Sequence, residues 1–201
     1  RVGPVGISPD FTSNFSHTKS SIPLVVAGGR FTPPKRFDQI PKILFSVKEK
    51  IPSLQAVIFG DGPERSNIEL QVRKYSAEDW ITLPGFVDRK YQVQLYQRAK
   101  LLIAPSRREG WNMTITEAAA CGTPAVATKI PGHLDAVVDQ QTGFLVEDDN
   151  EMVESIISGL SDEEKRLQMK KNALEHSKKF RWDHTAAVIL NALCDDAESR
   201  K

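Results

Sequence analysis

Short apolar runs alternate with helix-forming stretches six times between residues 22 and 160. The apolar runs are nearly continuous, as is typical of parallel strands that are buried on both faces. Parallel neighbours are joined by right-handed helical crossovers, which the intervening stretches would supply. We therefore predict an α/β fold: a doubly wound, mainly parallel six-stranded Rossmann-like sheet with helices on both faces. The predicted strands are 22–29, 54–60, 80–85, 100–106, 124–128 and 143–147, and the predicted helices are 36–50, 62–76, 88–99, 111–121, 132–138 and 149–160.

The C-terminal part of the sequence departs from this alternation and predicts extra helices only. Ser161 and Glu164 have the spacing of a capping box, and another helix is expected to begin near Trp182. Residues 1–21, rich in Ser, Thr, Gly and Pro, read as a linker segment, so the predicted domain is 22–201. Because the chain begins with Arg1 rather than Met, we expect it to be a processed chain or part of a longer one.

Composition argues against several classes of function. The 27 basic and 26 acidic side chains nearly balance, so a nucleic-acid partner is not expected. The two cysteines, Cys121 and Cys194, indicate a reducing, cytoplasmic location, and no apolar stretch is long enough to span a membrane. No His or Cys spacing predicts a metal site. The acidic run 147–150 is better explained by Asp148 or Asp149 capping the next helix than by a bound cation.

Glycines and cations follow the first two predicted strands, at the edge where α/β sheets bind ligands. In GGRFTPPK, Gly29 permits close backbone approach, while Arg30 and Lys35 supply two positive charges suited to a diphosphate. An ordinary loop with solvated cations explains this stretch equally well. Gly60 and Gly62 lie in GDGP, which by itself reads as a helix-start turn. Neither stretch matches a P-loop or a dinucleotide fingerprint.

Two glutamates flank the predicted start of the helix that follows the fourth strand. Glu109 lies in the loop and Glu117 in the first turns of the helix, about 12 Å apart along the axis. Between them, free backbone N–H groups and the positive end of the helix dipole would suit a phosphate. The carboxylates could accept hydrogen bonds from hydroxylated rings on either side of that phosphate. The alternative is that these glutamates only complement the helix dipole.

Taken together, these motifs resemble the C-terminal, donor-binding domain of a retaining family 4 (group 1) glycosyltransferase of GT-B fold. The resemblance covers residues 3 to 190 approximately. It rests on the Glu-x7-Glu motif in PSRREGWNMTITEAAACGTPAVAT and on the segments GGRFTPPK, FGDGP, LPGFV, QTGFLV and FRWDHTA.

The resemblance implies a nucleotide-diphosphate sugar donor, bound without a metal ion or other cofactor. Arg30 and Lys35 would neutralise the departing diphosphate, Glu109 would bind sugar hydroxyls, and Glu117 would bind the ribose. The expected catalytic residues are Arg30, Lys35 and Glu109. A role of Glu109 as a covalent nucleophile is a minor alternative. The remaining contacts implied for the nucleotide sugar are Gly29, Gly60, Gly62, Val87 beside the base, and the backbone N–H groups of Gly110, Trp111, Asn112, Met113 and Thr114.

The sequence departs from the family pattern at the sugar end of the site. Trp111 and Asn112 replace a common Phe-Gly, Arg36 replaces a common glycine, and His133 and Asp135 stand where a glycine and a glutamate are more usual. The transferred sugar is therefore not predicted. Open alternatives are a nucleotide-sugar-binding module without catalysis and a related GT-B epimerase or phosphorylase.

A full enzyme of this architecture has an N-terminal acceptor domain, which is the expected partner of this chain. We accordingly expect the isolated chain to bind donor nucleotide weakly and to transfer no sugar. A cytoplasmic location is expected, with peripheral attachment to the inner face of a membrane through the other domain left open.

Overall fold

The computed structural model describes residues 5–13 and 20–199. Within those residues a single sheet contains six strands, all parallel, in the order β3-β2-β1-β4-β5-β6. The strands are β1 Leu24–Arg30, β2 Gln55–Asp61, β3 Ile81–Gly85, β4 Leu101–Ala104, β5 Ala125–Thr128 and β6 Gly143–Val146. The predicted Rossmann-like sheet is confirmed.

Eight α-helices lie in the described part of the chain, and the last two extend beyond the strand–helix alternation. The helices are α1 Ile40–Lys50, α2 Arg65–Lys74, α3 Arg89–Arg98, α4 Met113–Ala120, α5 Pro131–Leu134, α6 Asp149–Ser161, α7 Glu163–Ser177 and α8 Trp182–Ser199. The extra C-terminal helices were therefore predicted correctly, including the start of α8 at Trp182.

Apolar side chains cover both faces of the sheet. Val25 and Ala27 of β1 belong to a core with α1, α2 and α6, whereas Val26 belongs to a second core with α3 and α4. Alternate residues of one strand point to opposite faces, so each strand contributes to both cores. This two-sided burial explains why the strands read as continuous apolar runs.

The helix predicted from residue 36 begins later, at Ile40. Two 3₁₀ turns, Pro33–Lys35 and Phe37–Gln39, precede it. Between them Arg36 has a φ of 55°, in the left-handed region that an α-helix cannot contain. A backbone conformation of this kind favours glycine.

Two other predicted helix boundaries need correction. The predicted capping box at Ser161 is wrong, because Ser161 is the last residue of α6 and Asp162 caps α7 by accepting from the Lys165 N–H. Asp148, in contrast, caps α6 as predicted. The helix predicted at 132–138 is only the four-residue α5.

Part of the predicted linker packs against the domain. Phe11 is buried and its ring lies 6.0 Å from that of Tyr96, and the Ile7 N–H donates to the Phe180 carbonyl. Arg1 and His17 lie outside the described residues. A helix long and apolar enough to cross a membrane is not found in the part of the chain that the structure describes.

Candidate functional site

The two loops that carry most predicted site residues meet at the centre of the sheet. Strands β1 and β4 are neighbours, but the chain continues from β1 to β2 on one side and from β4 to β5 on the other. A crevice forms beyond the carboxyl ends of strands at such a reversal of strand order. The Arg107 N–H donates to the Pro34 carbonyl at 2.7 Å, which joins the two loops.

Lys35 and Glu109 form an ion pair in this crevice. The Lys35 Nζ lies 2.8 Å from Glu109 Oε1, and the side chains are 22% and 10% exposed. The Ser106 hydroxyl donates to the same Glu109 oxygen at 3.0 Å. Lys35 also lies against Gly29, because a Cβ added to that glycine would be 3.5 Å from the ammonium nitrogen. The predicted cation and carboxylate are thus brought together.

The N-terminus of α4 adjoins this pair and is held by a buried polar chain. Asn112 Nδ2 lies 3.1 Å from His133 Nε2, and Asn112 Oδ1 accepts from the Thr114 hydroxyl at 2.7 Å. His133 Nδ1 lies 2.7 Å from the Thr128 carbonyl. Because a carbonyl only accepts, Nδ1 carries the proton, and Nε2 accepts from the Asn112 amide.

Glu117 lies further along α4 in a much less polar environment. Its side chain is buried, and Gln92 Nε2 of α3 donates to its Oε2 at 3.0 Å. Burial raises the pKa of Glu117 to about 7, although the nearby Arg89 charge and the Gln92 hydrogen bond act in the opposite direction. A carboxylate in this state gains most from a ligand that donates hydrogen bonds to it.

A cleft of about 600 Å³ is lined by Gln92, the residue that donates to Glu117. Five predicted site residues line it: Gly29, Arg30, Gly60, Val87 and Thr114. Phe86, which is 85% exposed, stands in its wall, together with Arg89 and Gln92. The size fits a small ligand, and an aromatic ring beside Val87 suits a planar base.

The two glycines of the GDGP turn are required by backbone packing. A Cβ on Gly60 would lie 1.9 Å from the Gly29 carbonyl oxygen, and one on Gly62 would lie 2.5 Å from the Phe31 carbonyl oxygen. Their φ angles of 130° and 153° are also unfavourable for other residues. These glycines let β2 and the turn after it lie close to β1 and to the loop that follows β1 and carries Lys35. Gly60 also lines the cleft.

The loop before α4 places its predicted residues differently. Gly110 is exposed, and a Cβ there would have no heavy atom of the described residues within 4 Å. The Trp111 ring packs edge-on against Phe180, with centroids 5.3 Å apart. The ring therefore contributes to packing, and its indole N–H is buried without a hydrogen-bond partner among the described residues. Met113 begins α4 and is partly exposed.

Sequence reasoning missed several side chains of this site. Ser106, Gln92, Arg89 and Phe86 were not predicted, and His133 was noted only as a departure from the family pattern. Phe86 directly precedes Val87 in LPGFV, which could have indicated it. The contact between Gln92 and Glu117 spans 25 residues, and no local pattern signals it.

Metal-ligand clusters were sought within residues 5–13 and 20–199. No group of three or more His, Cys, Asp or Glu side chains there is arranged to hold a metal ion. Lys35 and Arg30 place positive charges near the crevice, and Arg89 places another near Glu117. Metal independence stays a prediction.

Fold and site together define an α/β domain with a cation–carboxylate pair and a helix N-terminus at the point where the strand order reverses. The family model for "Glycosyl transferases group 1" matches residues 11–176. The chain therefore belongs to the group 1 glycosyl transferase family, and its Rossmann-like fold is that of GT-B glycosyltransferases.

Three similar proteins illustrate the relationship. Trehalose synthase from Pyrococcus horikoshii is 34% identical over 167 residues, which are 78% of this chain and 40% of that protein. Sucrose-phosphate synthase from Thermosynechococcus elongatus superposes with a TM-score of 0.86 at 26% identity, over 100% of this chain and 53% of that one. HepE from Anabaena, in complex with UDP and glucose, superposes with a TM-score of 0.76 at 24% identity. The superposition covers 87% of this chain and 48% of HepE. The chain thus spans about half of each of these proteins, or less.

Proposed function

We propose that this chain binds the nucleotide-diphosphate sugar donor of a retaining, metal-independent glycosyltransferase. The observation that carries the proposal is the Lys35–Glu109 ion pair beside the N-terminus of α4, at the reversal of strand order. A diphosphate there would meet an ammonium group and the positive end of a helix dipole. Sugar hydroxyls would meet the Glu109 carboxylate.

The nucleoside would occupy the cleft beside Glu117. The two ribose hydroxyls would donate to the Glu117 carboxylate, and the base would lie between Val87 and the exposed Phe86 ring. The HepE complex with UDP and glucose supports this class of ligand, since that protein has the same fold.

The proposed reaction breaks the bond between the anomeric carbon and the diphosphate oxygen, and the diphosphate leaves with the bonding electrons. Lys35, Arg30 and the N–H groups at the start of α4 would stabilise the developing negative charge more strongly than they stabilise the bound donor. The oxygen of the acceptor hydroxyl would form the new bond to the anomeric carbon, and its proton would pass to the departing diphosphate oxygen. Glu109 would position the sugar, so the proposal requires no covalent intermediate with the protein.

The proposed partner is the acceptor-binding domain of the same enzyme. Helix α8 exposes Ile189, Leu190 and Leu193, which are 53%, 61% and 62% exposed. Such an apolar surface is typical of a site that packs against another protein surface. We propose a cytoplasmic enzyme, whose attachment to a membrane, where it occurs, would be made by the other domain.

Calorimetric titration of this chain with UDP, GDP and ADP, and then with the corresponding sugar nucleotides, tests the donor site. We expect one nucleoside diphosphate to bind with a Kd between about 10 μM and 1 mM. Lys35→Ala should abolish most of that binding. If none of the three binds at concentrations up to about 5 mM, the proposed function is wrong.

Retention is tested by joining this chain to its acceptor domain. Product formed from an α-linked sugar nucleotide should keep the α configuration by proton NMR, and chelators should not slow its formation. This chain alone should yield no product. A β-linked product, or loss of activity with EDTA, would contradict retention or metal independence respectively.

A further inference from the structure

Asn112 stands at the N-cap position of α4 but does not cap the helix. Asparagine is among the best N-cap residues, because its side-chain oxygen accepts from a backbone N–H of the first turn. In this structure its side chain makes no capping hydrogen bond. The sequence therefore provides a good N-cap residue for α4, but the side chain of that residue forms its hydrogen bonds elsewhere.

The diversion is made by His133, on a different helix. The Asn112 amide nitrogen donates to His133 Nε2, and the amide oxygen is occupied by the Thr114 hydroxyl. The His133 ring is fixed in turn by its Nδ1–H bond to the Thr128 carbonyl. Since Nδ1 is committed to a carbonyl, Nε2 can only accept, and it selects the amide nitrogen of Asn112.

Asn112 and His133 are both buried, whereas Thr114 is partly exposed. Asn112 is 4% exposed and His133 is 0% exposed. Burial also lowers the pKa of His133, which keeps the ring neutral and Nε2 an acceptor; the neighbouring Lys35 charge adds to this, while the Thr128 hydrogen bond and Glu109 oppose it. Breaking one of these hydrogen bonds would leave a buried polar group without a partner, which is costly. His133 and Thr114 therefore fix the orientation of the Asn112 amide.

We propose that His133 is a positioning residue that holds the Asn112 side chain away from the Thr114 N–H in the first turn of α4, so that this N–H stays available for the diphosphate sugar. The inference rests on the proposed function. Without His133, the amide would be free to turn and cap the helix, and the ligand would have to displace it. His133 and Asn112 then act together through their 3.1 Å contact.

Two substitutions of Asn112 provide a matched test. Asn112→Ser and Asn112→Gly both leave His133 Nε2 without its amide partner, but only serine can cap. A serine side chain is one bond shorter than asparagine and ranks beside it as an N-cap residue. With UDP, GDP and ADP as probes, we expect Asn112→Ser to bind about fivefold more weakly than Asn112→Gly, the equivalent of one capping interaction.

His133→Ala should behave like the serine variant, because its free asparagine can turn and cap. The double variant Asn112→Gly/His133→Ala should regain the affinity of Asn112→Gly. A merely structural role for His133 predicts the opposite, since the double variant would then bind no better than His133→Ala. Circular dichroism and thermal unfolding establish that each variant is folded, and the serine–glycine pair tests the inference even where the His133 variants do not fold.

Hydrogen exchange of the Thr114 amide tests the same arrangement without any ligand, whereas the Ile115 N–H already donates to the Asn112 backbone carbonyl and is not informative. Exchange should slow in Asn112→Ser and His133→Ala, and should stay fast in the wild type and in Asn112→Gly. Equal exchange in the serine and glycine variants would overturn the inference. If exchange follows this pattern while no nucleotide binds the wild type, this arrangement stands and the proposed donor site fails.

Discussion

Glu109 and Glu117 belong to one sequence motif but lie in opposite electrostatic environments. Glu109 contacts an ammonium group at 2.8 Å and a hydroxyl at 3.0 Å, so its charge is already balanced. Glu117 is equally buried, but its direct partner is the neutral Gln92 amide, and its pKa rises to about 7. The sugar end of the proposed site is therefore preassembled by an ion pair, whereas the nucleoside end is completed by the ligand.

The comparison teaches that one residue type can have two roles when its partners differ. At Glu109, a bound nucleotide sugar must share or replace the ion pair between Lys35 and Glu109. Binding there therefore exchanges one charged interaction for another. At Glu117 ribose hydroxyls would supply hydrogen bonds that the carboxylate lacks, which favours its ionised form. The two ends should therefore respond differently to substitution and to pH.

The largest expected effect concerns the backbone under the nucleoside end. Gly60→Ala would place its Cβ 1.9 Å from the Gly29 oxygen at a φ of 130°, so we expect unfolding to become easier by more than about 3 kcal/mol. Gly110→Ala, at the sugar end, has open space and should change the free energy of unfolding by less than about 0.5 kcal/mol. Urea denaturation of both variants measures the difference. Similar stabilities would show that the two ends are not built differently.

Lys35→Ala should have the largest effect on ligand affinity. The variant removes the cation proposed for the diphosphate and leaves Glu109 facing it without its partner. We expect the affinity for the best-binding nucleoside diphosphate to fall about 50-fold, since hydrogen bonds to charged groups contribute about 1.5–3 kcal/mol. Lys129→Ala, which removes an exposed lysine paired with Glu147, is the control and should bind as the wild type does. Equal losses in both would contradict a specific diphosphate contact.

The raised pKa of Glu117 predicts an unusual pH dependence of stability. The folded state holds a proton on this carboxyl up to about pH 7, whereas the unfolded chain releases it near pH 4.5. The folded state therefore binds more protons between these values, and its stability falls as pH rises through them. Relative to Glu117→Gln, the wild type should lose up to about 3 kcal/mol between pH 4.5 and pH 7.5. If the difference in unfolding free energy between the wild type and Glu117→Gln stays constant over that pH range, the raised pKa of Glu117 is wrong.

The smallest effect is expected at Arg36, which anchors the Lys35 loop. Its φ of 55° is strained, while its guanidinium binds Asp149 with two contacts of 2.9 and 2.7 Å. Arg36→Gly relieves the strain but loses the ion pair, so the net change in unfolding free energy should be within about 1 kcal/mol. Asp149→Asn keeps the strain and weakens the pair, and should be the more destabilising of the two in thermal denaturation. The reverse order would show that Asp149 does not offset the strain.

Much of this architecture follows from the sequence because local patterns determine it. Strand–helix alternation predicts the parallel sheet, and the ends of β1 and β4 then bring Lys35 and Glu109 to the same edge. The Glu-x7-Glu motif correctly places Glu117 on the following helix. These inferences need only the period of apolar residues and the handedness of crossovers.

The remaining features depend on contacts that no local pattern encodes. His133 meets Asn112 across 21 residues, and only the packing of α5 beside the loop before α4 brings them together. A Cβ on the neighbouring Gly132 would lie 2.3 Å from the Glu109 carbonyl oxygen, which shows how close that packing is. The cap of α7 was missed for a simpler reason: Ser161 and Asp162 are adjacent candidates, and α6 extends far enough to include the first.

A crystal structure of this chain with its tightest-binding nucleoside diphosphate would test the central claim most directly. The account predicts phosphate oxygens about 3 Å from Lys35 Nζ and from the N–H groups at the start of α4, with both ribose hydroxyls on the Glu117 carboxylate. A nucleotide bound instead in the groove between residues 7–13 and α7, with the Lys35–Glu109 pair undisturbed, would contradict it.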